Sequence, residues 1–367
     1  MAMGSKAGGS RYIPELQYLR FLAAFLVLFG HVGLNLHERG TISDETYVRF
    51  DAYPWGSGVD VFFVISGFVI FLVARDLRGG AGAALGFMRD RLVRIAPIYW
   101  FYTALMLLAM ALFAGRVTNA TIDPAHVLAS LAFIPWPHPD NGYLRPVLAQ
   151  GWTLNYEMYF YLVVAATILL GVRRRGLAAS VLIIALLLVG QIRAEGEPGT
   201  YFLGYDIVLE FLYGIALCQL WHRGVRVPGW CTWPAIAASL ILLGVMGTFT
   251  SLPRSVAFGI PAALMVAAVT LTWHDPARRT MRTLGELGNA SYSLYLSHPF
   301  VIAGILLVVD RLGIAAISES WPLLLALICI ASVAFSVVSY RLIERPMMTL
   351  FRRPGRLRSP APMDRTV

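Results

Sequence analysis

Few ionisable side chains interrupt the apolar stretches of this sequence, and those few are of types that do chemistry. Arg20 and His31 lie in the first apolar stretch. Eleven residues at about 100° each come to roughly 20° beyond three full turns, so on a helix both side chains share one face. At 1.5 Å per residue they stand about 16 Å apart in depth. Asp60 begins the second apolar stretch, and Glu157 falls early in the fourth. Arg91 and Arg94, one turn apart, precede the third, while His298 falls inside the ninth, and Asp206 and Glu210 share one side of the sixth. A cluster of guanidinium groups grips phosphate through forked, charge-assisted hydrogen bonds. A histidine beside a carboxylate is oriented and made more basic, as general-base attack by a hydroxyl requires. Structural ion pairs and snorkelling side chains are the competing explanation of the same residues.

The elements that must carry these groups follow from composition. Of 367 residues, 57% are hydrophobic and only 14% charged, and the mean hydropathy is +0.65. Charged residues this sparse cannot cover a water-soluble globule, and the apolar blocks are about twenty residues long, the length of a helix across a bilayer. A membrane β-barrel would show short alternating segments, whereas 181–189 is continuously apolar. The sequence predicts an all-α polytopic membrane protein with ten spans, near 16–36, 57–75, 95–115, 152–171, 177–192, 204–222, 229–247, 255–273, 289–310 and 321–342.

The basic residues supply an independent topology. With the N-terminus in the cytoplasm, Lys6 and Arg11, the cluster from Arg75 to Arg94, Arg173 to Arg175, Arg223 and Arg226, Arg278 to Arg282 and the tail from Arg341 to Arg365 all fall inside. Outside remain Arg39, Arg49, Arg116, Arg145, Arg193, Arg254 and Arg311, with Arg20 in the first span. This bias fits ten helices with both termini cytoplasmic, and it explains the net charge of +9 without nucleic acid. Residues 1–12 read as a flexible segment without a signal-peptide cleavage pattern, 13–348 as one membrane domain, and 349–367 as a basic cytoplasmic tail. The loop 116–150 holds an apolar patch at 127–136 expected to form a short interfacial or re-entrant helix. Cys218, Cys231 and Cys329 have no metal-like spacing, so neither a disulfide framework nor a metal site is expected. Arg89 reads as a topology signal, and His37, His126, His138, His222 and His274 as loop or helix-end residues.

By the assigned orientation, His31, Asp60 and Glu157 should share one depth in the outer half, with Arg20, Arg91 and Arg94 at the cytoplasmic level and His298 near the middle. At these same residues the sequence resembles acyltransferase family 3, integral membrane proteins that include bacterial O-antigen, exopolysaccharide and Nod-factor O-acetylases. The resemblance rests on Arg20 and His31 with ten residues between them, on Gly58-Val59-Asp60-Val61-Phe62-Phe63-Val64-Ile65-Ser66-Gly67-Phe68, and on Arg91-Leu92-Val93-Arg94-Ile95-Ala96-Pro97-Ile98-Tyr99. It rests also on Trp152-Thr153-Leu154-Asn155-Tyr156-Glu157-Met158-Tyr159-Phe160-Tyr161, where Thr153 replaces the usual serine and keeps the hydroxyl. Looser agreement comes from Glu210-Phe211 with Gly214, from 291–298 ending in His298, and from Glu344-Arg345-Pro346. Together these cover about 12–348.

The resemblance implies a ten-helix enzyme of the bacterial inner membrane that moves an acyl group, usually acetyl, from acyl-CoA to a hydroxyl of a carbohydrate. It implies CoA phosphates near Arg91, Arg94 and Arg20, a thioester near His31 as base, and Glu157 and Asp60 as the carboxylates beside it. Ser66, Trp152, Glu210 and His298 would support the site. Acetyl-CoA would be a substrate, with no permanently bound cofactor, and no hydrolase-like periplasmic domain of the kind some members carry is expected. Acylation of a small metabolite, antibiotic or lipid is an alternative within the resemblance. A secondary transporter is the alternative from outside it, although no half-to-half repeat is evident.

Overall fold

A computed structural model describes residues 13–113, 121–192, 198–249, 251–272, 282–313 and 320–351. Lys6, Arg11, Arg116, Arg193, His274, Arg278 and Arg279 lie outside the described residues, as do residues 1–12 and the tail beyond 351. Among the described residues, ten helices overlap the ten expected spans. They are α1 (Glu15–Glu38), α2 (Gly58–Ala74), α3 (Ala81–Leu112), α4 (Trp152–Leu169), α5 (Arg175–Ile192), α6 (Leu209–His222), α7 (Thr232–Met246), α8 (Ile260–Thr270), α9 (Ser291–Leu312) and α10 (Trp321–Ser339). No β-strand occurs among the described residues, which show only isolated bridges at Pro137 with Leu144 and Val227 with Thr272. The chain is an all-α polytopic membrane protein.

Seven helical segments, those containing α1, α2, α3, α5, α7, α9 and α10, are long and apolar enough to cross a bilayer. The three that are shorter or more polar, α4, α6 and α8, pack against α2. Polar residues such as Asn155 and Glu210 are affordable there because protein, not lipid, surrounds them. The central helix is α2, apolar on every side and buried along nearly its whole length, as a helix without a polar face must be. By contrast α7 is also apolar but mostly exposed, a lipid-facing strut.

Two departures from the expected elements bear on the site. The third helix begins at Ala81 rather than near 95, so Arg89, Arg91 and Arg94 project from a helix and not from a basic loop. Residues 81–94 contain no proline and bury Ala84 and Phe87, so they continue the helix below the apolar block. Pro97 stays within it, as prolines do in packed membrane helices. The other departure is a pair of π-helical turns, Ser255–Gly259 ahead of α8 and Tyr340–Glu344 after α10. The apolar patch in the long loop does form a short helix, Pro124–Leu131, with Asp123 as its N-cap accepting from the Ala125 and His126 amides. It is tied to α3 by Tyr99 Oη donating to the Ser130 carbonyl at 3.2 Å and Trp100 Nε1 donating to the Leu131 carbonyl at 2.9 Å.

Close approach of α2 and α6 is set by two glycines. A Cβ on Gly67 would lie 2.2 Å from the Phe211 carbonyl oxygen, and one on Gly214 would lie 2.2 Å from that of Val64. Both contacts are to backbone, which cannot swing aside, and small residues at such crossings are what lets membrane helices touch. Gly304 on α9 has nothing within 4 Å of an added Cβ. Gly214→Ala should therefore destabilise the purified protein by about 1–3 kcal/mol or more, whereas Gly304→Ala should leave it unchanged or slightly firmer. Thermal unfolding of both variants in detergent checks this, and equal midpoints would remove the glycine contact as the determinant of the crossing.

Candidate active site

Arg20 of α1, Arg91 and Arg94 of α3 and Glu157 of α4 converge on one cavity of about 270 Å³ between α1, α2, α3, α4 and α9. Its remaining wall is largely apolar, supplied by residues such as Val59, Phe62 and Phe63 of α2. Arg20 reaches Gln17 Oε1 through Nη1 at 3.3 Å. Arg91 stacks over Phe87 at 5.9 Å from the ring centroid, and its Nε is buried with no hydrogen-bond partner among the described residues. Arg94 is the exposed member. Glu157 accepts a hydrogen bond from Ser66 Oγ at 3.3 Å and a short one from Tyr161 Oη. Three guanidinium groups thus face a single carboxylate in the cavity wall. Guanidinium groups so placed have the charge and the donors to hold an anion with several oxygens.

Glu157 belongs to this arginine ring, not to His31. Counting residues from the start of a predicted helix gave it the depth of His31, but the count fixes neither where the helix starts in space nor which neighbour it faces. The start of α4 is drawn into the bundle: Tyr295 Oη and Thr153 Oγ1 each donate to the Gln150 carbonyl at 3.1 Å and stand 3.1 Å from each other. Trp152, expected as a supporting residue, packs edge-on against Tyr156 at 5.9 Å and is not part of the cavity wall.

Asp60 is likewise apart from His31. It is wholly buried and held by both prongs of Arg254, with Nε donating to Oδ1 at 2.9 Å and Nη2 to Oδ2 at 2.7 Å. Residues 59, 62, 63 and 66 of α2 face the cavity, whereas Asp60 turns toward the start of α8. Glu210 is also wholly buried, and both of its oxygens lack a hydrogen-bond donor among the described residues. It sits against Gly259 of the π-helical turn, where a Cβ would come within 2.9 Å of its Cγ. Nearby, Asp206 Oδ2 accepts from the Ser255 amide at 2.7 Å. For Asp60 the geometry is that of an ion pair locking α2 to α8. Arg254 was placed in an outer loop by the sequence, and the available signal was its position one residue before an apolar run.

His31 finds a different neighbour. Its ring lies 5.0 Å from that of His298, centroid to centroid and tilted by 48°. Each histidine donates from Nδ1 to the carbonyl four residues earlier, His31 to Val27 at 2.8 Å and His298 to Leu294 at 3.2 Å. That bond fixes the tautomer and leaves Nε2 of each ring as the lone-pair nitrogen. In His298 this nitrogen is buried and unpartnered among the described residues. No ion pair joins His31 to Asp60 or Glu157 among the described residues. Tyr295 connects the two regions: it lines the cavity and its ring stands 6.3 Å from His298. The sequence missed Tyr295, Tyr161 and Thr153 as site residues, since hydroxyls in apolar helices are too common to single out.

An acyltransferase domain model, that of the family 3 transferases, matches residues 13–341. The exopolysaccharide production protein ExoZ of Rhizobium meliloti (strain 1021) is 36% identical over 307 residues, which are 82% of this chain and 91% of ExoZ. The acyltransferase MdmB of Streptomyces mycarofaciens is 27% identical, covering 93% of this chain and 94% of MdmB. Nodulation protein 10 of Rhizobium leguminosarum bv. viciae is 26% identical, covering 94% and 96%. No solved structure matches the chain significantly. With the family model over nearly the whole described bundle, the transporter alternative falls away, and the chain belongs to acyltransferase family 3 as a multi-pass membrane acyltransferase.

Proposed function

We propose that the protein transfers an acyl group, acetyl in the first instance, from cytoplasmic acyl-CoA to a hydroxyl of a cell-surface or exported polysaccharide. The observation that carries this reading is the unequal charge in the cavity, three arginines to one carboxylate, set apart from a pair of imidazoles with free lone pairs. A donor with phosphates at one end and a thioester at the other end of a flexible arm suits such a site. The phosphates bind Arg20, Arg91 and Arg94, and the arm follows the apolar wall past Ser66 and Phe62. The thioester comes to rest near Tyr295, Thr153 and the histidine pair. ExoZ, named for exopolysaccharide production, supports a polysaccharide as acceptor, and the basic loops support a bacterial inner membrane with both termini cytoplasmic.

In this mechanism Nε2 of His31 takes the acceptor's hydroxyl proton as the oxygen attacks the thioester carbonyl. His298, packed against the same ring, holds the His31 imidazole in its rotamer. Glu157 has another task than orienting His31. It holds Tyr161 and Ser66 on the cavity wall and offsets part of the arginine charge, so that CoA can leave after transfer.

His31→Ala is expected to lower acyl transfer by about 10²- to 10⁴-fold while acetyl-CoA still binds; turnover above about a third of wild type would remove His31 as base. Replacing Arg91 and Arg94 together by Gln should weaken acetyl-CoA binding by about 1.5–3 kcal/mol for each charged hydrogen bond lost. Titration calorimetry of the detergent-purified protein with acetyl-CoA and dephospho-CoA measures it, and absence of saturable binding to wild type would falsify the donor assignment. Glu157→Gln should slow turnover without weakening that binding, because it removes the one negative charge from an anion site. A Glu157→Gln protein that binds acetyl-CoA much more weakly than wild type would contradict this role.

A further inference from the structure

A seam of buried hydroxyl groups runs between α9, α10 and α3, beside the histidine pair, and none of its members lines the cavity. Tyr102 Oη and Ser339 Oγ are 2.6 Å apart. Ser339 Oγ donates to Ser293 Oγ at 3.3 Å, and Ser293 Oγ donates to Glu344 Oε2 at 2.6 Å. All four residues are buried, Glu344 to 5% exposure. At the other end the Tyr102 and Ser297 hydroxyls lie within hydrogen-bonding reach of each other. The residue after Ser297 is His298, whose Nε2 is buried and unpartnered among the described residues, as is Ser332 Oγ in α10. From Ser293 to His298 the rise is about 7.5 Å, so the seam descends from the imidazoles toward the arginines. Glu344 ends it within the field of Arg94 and Arg20.

Serines between membrane helices often serve only to let backbones approach and to bond across the crossing. That explanation covers Ser293 with Ser339. It does not account for a buried carboxylate as the final acceptor, nor for the buried, unpartnered Nε2 of His298 at the other end, an energetic cost that calls for a reason. Glu344 is turned inward by the π-helical turn Tyr340–Glu344, a local distortion common at functional sites. The bonds also have one polarity, each hydroxyl donating toward Glu344 when Tyr102 donates to Ser339.

Resting on the acyl-transfer reading above, we propose that this seam is a proton path from the histidine pair to Glu344, and that Ser293, Ser339, Tyr102 and Glu344 are positioning and relay residues of the reaction. The acceptor oxygen forms its bond to the acyl carbon, the carbon–sulfur bond breaks, and CoA departs as thiolate. The hydroxyl proton, first taken by imidazole, enters the seam near Ser297. Each hydroxyl accepts one proton and passes on its own, and the last goes to the Glu344 carboxylate. Glu344 then gives its proton up on the cytoplasmic side, where the CoA thiolate, once it has left the cavity, takes one proton up, so that a hydroxyl and a thioester become an ester and a thiol with nothing left over.

The test uses membrane vesicles of the native host carrying the full-length protein, radiolabelled acetyl-CoA, and incorporation of label into the vesicle glycan in H₂O and D₂O. Ser293→Ala and Ser339→Ala are expected to slow incorporation by about tenfold or more and to enlarge the solvent isotope effect. Ser293→Thr and Ser339→Thr, which keep the hydroxyl, should restore most of the rate, with acetyl-CoA affinity unchanged to within about twofold throughout. Alanine variants that run at the wild-type rate would overturn the path. So would alanine and threonine variants slowed alike with an unaltered isotope effect, which would mark a packing role. A wild type that neither binds acetyl-CoA nor labels glycan would overturn the acyl-transfer reading itself, and the wild-type sample alone reveals that.

Discussion

A guanidinium group exposed to hydrocarbon is costly, and this bundle brings three of them to one place. Arg20, Arg91 and Arg94 can stand together only because α1, α2, α3, α4 and α9 enclose a cavity around them and because Glu157 returns one negative charge. The rest of the architecture follows from that enclosure. The long third helix extends below the apolar block to carry two of the arginines, and the polar helices α4 and α6 are kept from lipid by the longer ones around them.

The enclosure in turn depends on α2 holding one rotation about its axis. Seen from α2, one side presents Val59, Phe62, Phe63 and Ser66 to the cavity, while Asp60 points to Arg254 and Gly67 sits against the backbone of α6. An ion pair and a backbone contact are complementary constraints. The first fixes the angle, since a carboxylate gripped by a forked guanidinium tolerates little rotation. The second fixes the distance, since no side chain separates the two helices. Turning α2 by one residue would carry Ser66 off Glu157 and place a charge in the apolar wall.

Separation of the two chemistries is the functional consequence. Arg20 and His31 occupy different stretches of α1, and the two regions are joined through Tyr295 and Thr153, so in the proposed reading a donor gripped by its phosphates presents its reactive end elsewhere. The histidines rely on each other and on helix carbonyls, not on a carboxylate. A neutral imidazole with its Nδ1 committed to a backbone carbonyl is a suitable base in an apolar pocket, because it needs no buried countercharge until the moment it takes a proton.

The sequence alone determined the fold class and roughly where the long apolar helices lie, because bilayer thickness imposes a length that apolar runs display directly. It also singled out the ionisable residues within the apolar runs as candidates, because in an apolar helix each one has a cost and stands out, but it passed over Arg254. Arg20, Arg91 and Arg94 were legible as a group for that reason, and so was their likeness to a known family. Partnership was not legible. Asp60 was expected beside His31 and is held by Arg254, from a segment 194 residues away. Glu157 was expected at the histidine and faces the arginines, and His298 stands against His31 with no carboxylate between. Depth along a helix is a one-dimensional quantity that residue counting supplies. Which neighbour a side chain meets depends on the rotation and tilt of each helix, and those are set by contacts such as Gly67 on Phe211 and Tyr295 on Gln150, between residues far apart in the chain.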